Sequence, residues 1–141
     1  MVKYSRLTIE ELELFGASFP SLSEYSIKAS INDEIVGFIA LENNPLILKP
    51  SDKDCEAKRQ YKLQFNNHKS YYLRLIKISQ IHRYDSTLED MFDYMVHKLP
   101  HFSIIWCRPS IWDRNGYITQ IGGFNPIPMD ISTALIFSID V

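Results

Sequence analysis

The chain has 141 residues, the length of about one domain and enough to bury a hydrophobic core without disulfide or metal staples. Its net charge of −2 supplies no basic excess to neutralise a run of phosphates, which argues against general nucleic-acid binding. The two cysteines, Cys55 and Cys107, are far apart and outside any ligand-spaced pair, so neither a disulfide framework nor a zinc site follows from spacing.

Met1–Arg6 lacks the apolar stretch and small-residue cleavage site of a signal peptide, and the apolar run Ile35–Leu41 is too short to span a bilayer. A soluble cytoplasmic protein with no membrane partner is expected. Thr8 and Glu11 form a capping box that opens a helix, with Ile9, Leu12, Leu14 and Phe15 as its apolar stripe and Gly16 as its stop. Tyr25–Ile31 alternates as a strand, Asn32-Asp33 turns, and Ile35–Leu41 reads as a buried strand, so a hairpin is predicted. Residues 46–69 are polar and read as a surface excursion, with Ser51 a candidate cap for a helix over 52–59. Lys49, Lys53, Lys58, Arg59, Lys62 and Lys69 gather there, a pattern that reads as a solvated face.

Tyr71–Ile78 has the character of a central strand. Ser86-Thr87 caps the next helix, whose apolar residues Leu88, Met91, Phe92, Met95 and Leu99 keep helical spacing up to Pro100. His101–Cys107 is the following strand. A helix over about 111–121, stopped by Gly122-Gly123, and a last strand at Thr133–Ile139 complete the order. The predicted class is α/β (α+β): one domain, a mixed, mostly antiparallel central sheet of about six strands, and flanking helices. His97 and His101 have ligand-like spacing, but Pro100 breaks the helix that would align them, and no metal site is predicted.

One junction invites chemistry. A central strand ends at Ile78, and after a short connector a helix begins near Ser86. The first amides of such a helix lack internal partners and its dipole favours an anion, so phosphate is the natural guest; the same pattern also describes an ordinary βα turn.

The run Ile78-Ser79-Gln80-Ile81-His82-Arg83-Tyr84-Asp85-Ser86-Thr87-Leu88 resembles the loop with which the GNAT acyltransferases grip the pyrophosphate of acyl-CoA. Arg83 matches the motif's leading Gln or Arg, Ser86 stands at its Gly, and Leu88 at its Gly or Ala. Gly122-Gly123-Phe124 resembles the family's closing Gly-Phe, Asn115 its asparagine near the cofactor, and the Ile31–Phe38 hairpin its second and third strands. The resemblance implies acetyl-CoA or another acyl-CoA as co-substrate, held by Ile78, Ser79, Arg83, Tyr84, Asp85, Ser86, Thr87, Leu88 and Asn115. It also implies an amine acceptor, small molecule or protein, shaped by residues 46–69.

The sequence departs from that pattern in two places. Leu88 is branched where the family is small, so its side chain either enters the pyrophosphate space or turns into the core. The family's helical tyrosine acid falls at Thr119, which is too short for that role, and Tyr117 lies on another face. Glu42 and His82 are open as a base and a phosphate contact, each set against ordinary exposure; no catalytic residue is assigned. An acyl-CoA-dependent N-acyltransferase is the leading expectation. The alternatives are a GNAT-like module without catalysis that acts through protein contacts, and an interaction protein of unrelated α/β fold.

Overall fold

The computed structural model describes residues 1–43, 68–108, 115–128 and 133–139. Residues 46–67 of the predicted excursion, the helix proposed at 52–59, Cys55 and the clustered cations other than Lys69 therefore lie outside the described residues, and Lys69 opens a strand rather than closing the excursion. The described residues include seven strands: β1 (Lys3–Arg6), β2 (Ile27–Ile31), β3 (Glu34–Glu42), β4 (Lys69–Ile78), β5 (Ser103–Cys107), β6 (Asn125–Pro128) and β7 (Thr133–Ile139). The helices are α1 (Ile9–Leu14), α2 (Thr87–Lys98) and α3 (Tyr117–Ile121), with a 3-10 turn at Gln80–His82. The strands follow the order β1-β2-β3-β4-β5-β7-β6. The β1–β2, β2–β3, β5–β7 and β6–β7 pairings are antiparallel, and β4–β5 is parallel.

The chain divides into two compact units, Met1–Asn43 with Leu73–Leu99, and Asn44–Tyr72 with Pro100–Val141. In the first, the side chain of Thr8 accepts the N–H of Glu11 and the Glu11 carboxylate accepts the N–H of Thr8, which starts α1 as the capping box predicts. The β2–β3 turn places Asn32 and Asp33 at φ 50° and 66°, the left-handed pair that a two-residue hairpin turn demands. Alternation along β3 splits its side chains between two cores. Phe38 and Ala40 pack with Leu7, Leu12 and Phe19. On the other side α2 packs against β2 and β3 and contributes its buried residues Leu88, Met91, Phe92 and Met95.

Two details set the end of β4. Gly37 of β3 has no room for a side chain, since a Cβ there would lie 2.7 Å from Ile78 Cδ1 and 3.0 Å from the Lys77 carbonyl. Along β4 the buried positions are Tyr71 and Leu73, then Ile76 and Ile78, so the strand buries side chains of both parities and Leu75 packs on the core beside Phe38.

In the second unit, β4 and β5 run in parallel register from Lys69–Ser103 to Tyr72–Trp106. The rings of Tyr72 and Trp106 lie 4.6 Å apart, and all five residues of β5 are buried. His101 and Phe102 form a turn, not the start of a strand, because Phe102 takes φ 59°. The helix expected over about 111–121 is described only from Tyr117. Asn115 stands in the turn before it, and Gly116 at φ 68° breaks helical continuity there.

Candidate functional site

The junction after β4 lies wholly in the first unit. Ile78 is buried at the strand end, and the Ser79 N–H donates to the Val36 carbonyl at 2.8 Å, so that amide is committed to the sheet. The chain then turns through Gln80–His82. The His82 N–H donates to the Ser79 carbonyl at 2.9 Å and the Arg83 N–H to the Gln80 carbonyl at 3.3 Å. Ile81 and Tyr84 are exposed, and the Arg83 guanidinium lies over the Tyr84 ring with its Cζ 5.3 Å from the centroid.

Asp85 controls the helix start. Its Oδ1 accepts the Thr87 N–H at 2.9 Å, and its Oδ2 lies 2.6 Å from His82 Nδ1. Hydrogen bonding from Thr87 and then from His82, against a smaller opposing effect of burial, holds the Asp85 carboxyl below the ordinary aspartate range. Ser86, expected as the cap, instead donates its hydroxyl to Asp90 Oδ2 at 2.9 Å and makes no side-chain cap bond. At φ −81° and ψ 5° its backbone is not the extended one from which a serine caps, and the aspartate one residue earlier takes over. The N–H groups of Ser86 and Leu88 meet no acceptor among the described residues. Leu88 itself is fully buried, so of the two positions open to its side chain it takes the core.

Eight of the nine residues expected to hold the cofactor, Ile78 to Leu88, thus share one strand–turn–helix connection, while Asn115 belongs to the other unit. Loop and helix spacing pointed to the junction, but no sequence signal distinguished Asp85 from its neighbours as the carboxylate bound at its amides. Glu42, weighed as a base, ends β3 with a half-buried carboxylate. Its Oε1 accepts the Ser21 hydroxyl at 3.0 Å, and its Oε2 lies 3.9 Å from Arg74 Nε. Thr119 is exposed on α3 and Tyr117 is buried. No helix among the described residues is long and apolar enough to cross a membrane.

No protein-family model matches the sequence, and no curated protein matches it. Solved structures do match in fold. The ribosomal-protein-S18-alanine N-acetyltransferase from Escherichia coli aligns with a TM-score of 0.52 at 13% identity, over 100% of this chain and 96% of its own. The loading GNATL domain of CurA from Lyngbya majuscula gives 0.58 at 12% identity, over 99% and 98%. Arabidopsis thaliana NAA60, solved in complex with acetyl-CoA, gives 0.54 at 10% identity over the whole of both chains. At such identities the likeness concerns the path of the backbone, and on it the chain has the GNAT fold of the acyl-CoA N-acyltransferases.

Proposed function

We propose that the protein is an acyl-CoA-dependent N-acyltransferase, with acetyl-CoA the simplest donor and an amine of a small molecule or a protein as acceptor. The observation that supports this reading is the start of α2 in a chain of GNAT fold: the N–H of the exposed Ser86 meets no acceptor among the described residues, and the Leu88 side chain lies in the core. The Ser86 amide and the helix dipole would hold the pyrophosphate, with the Arg83 guanidinium about one turn earlier in the chain. The rate would come chiefly from positioning the amine against the thioester and from polarising its carbonyl. The nitrogen lone pair attacks the acyl carbon, the C–S bond breaks, and CoA leaves as the thiol once the amine proton has been lost.

One observation favours a second reading. Asp85 places a negative charge on the Thr87 amide, where a donor's phosphate would be drawn. A GNAT-fold module that has given up transfer and acts through protein contacts fits that charge. Incubation with acetyl-CoA and a panel of peptide amino termini and small primary amines separates the two. Amine-dependent release of free thiol supports the transferase. Absence of release across the panel, with acetyl-CoA still bound, supports the module.

A further inference from the structure

A second feature lies at the opposite end of α2. Arg6 and Ile27 are partners across β1 and β2, as are Tyr4 and Ala29. Residues directly opposite in an antiparallel pair share a face, as do residues two apart on one strand. Tyr4 packs on Tyr94 of α2 with ring centroids 5.6 Å apart, so Arg6 and Ile27 project from the face that α2 covers. Lys98 follows Tyr94 by one helical turn. The turn that leads into β2 supplies Glu24 and Tyr25. These six residues line a cleft of about 320 Å³, within the range of small-ligand sites.

The chemistry of the cleft is mixed in a specific way. Ile27 is buried and the Tyr94 ring stands beside it, which gives an apolar and aromatic lining. The edge carries two cations, Arg6 and Lys98, and one carboxylate, Glu24. Among the described residues none of the three is in an ion pair, and the Lys98 ammonium lies 5.4 Å from the Tyr94 ring centroid. A ligand that meets all of these groups carries a carboxylate, an ammonium and an apolar body.

We propose that this cleft binds a free amino acid with an apolar side chain. Its carboxylate faces Arg6 and Lys98, its ammonium faces Glu24, and its side chain lies on Ile27 and Tyr94. The 12 residues of α2 span about 18 Å, so this site is separate from the amides at the helix start and does not depend on the acyl-CoA reading.

The test is a titration of the full chain followed by amide NMR, with L-phenylalanine, 3-phenylpropionate and phenethylamine as probes. The expected result is that L-phenylalanine shifts Arg6, Ile27 and Lys98 and binds about tenfold more tightly than either probe that lacks one charge. Glu24→Gln should abolish the preference over 3-phenylpropionate, and Lys98→Gln should weaken the preference over phenethylamine. Both side chains are exposed, so these variants keep the fold. Equal binding of either singly charged probe overturns the proposal. So does the absence of shifts in these residues at about 10 mM L-phenylalanine, a concentration that reveals millimolar affinity.

Discussion

The Asp85 carboxylate accepts the Thr87 N–H at 2.9 Å, so the first turn of α2 carries an anion from its own chain. A bound phosphate would meet that charge at short range. Asp85→Asn keeps an oxygen acceptor in the same place and removes the charge. The variant should bind acetyl-CoA about tenfold more tightly than the wild type by calorimetry.

The same carboxylate makes the fold acid-sensitive, and Glu11 adds to the effect. Burial pushes Glu11 up, but hydrogen bonds from Lys28 and Thr8 outweigh it and hold the carboxyl below the ordinary glutamate range. A carboxyl with a lowered pKa in the fold stabilises it above the unfolded-state pKa, and that stability is lost as pH falls through the folded value. The denaturant midpoint should therefore hold steady from neutral pH down to about 5 and fall below about 4. The double variant Asp85→Asn, Glu11→Gln should flatten that fall.

Leu88 separates packing from binding. Because its side chain lies wholly in the core, Leu88→Ala should cost roughly 2–5 kcal/mol in denaturant unfolding. Acetyl-CoA affinity, measured well below the unfolding transition, should stay within about twofold of the wild type. Tighter binding by the smaller residue would mean that leucine reaches the ligand space.

Gly37 tests how the strand that delivers this junction is held. A methyl group there meets Ile78 Cδ1 and the Lys77 carbonyl, and the carbonyl belongs to backbone that cannot swing away. Gly37→Ala should destabilise the protein by about 1–3 kcal/mol, read from the denaturant midpoint.

Local rules carried the sequence a long way where one residue type has one job. The Thr8–Glu11 box, the Asn32-Asp33 turn and the apolar spacing of α2 each appear in the fold as read. β1 escaped because Lys3–Arg6 has no apolar alternation; its half-buried tyrosine is sheltered by Tyr94, a contact made across the tertiary fold. β6 escaped because Pro126 and Pro128 read as loop. Among the described residues it lies at the sheet edge and pairs with β7 alone, where a missing N–H can face away from the ladder. At the junction the strand, the turn and the helix were legible, but the switch of cap from Ser86 to Asp85 was not. It depends on backbone angles and on His82 reaching the same carboxylate. The cleft beside Lys98 was invisible for a related reason, since its residues come from three separate stretches of chain.

The most direct test of acyl-CoA binding at the start of α2 is a calorimetric titration of the purified chain with acetyl-CoA, repeated with Arg83→Glu. A dissociation constant of about micromolar order is expected for the wild type, with a loss of at least about tenfold in the variant. No heat up to about millimolar acetyl-CoA, or equal affinity in both proteins, would contradict it.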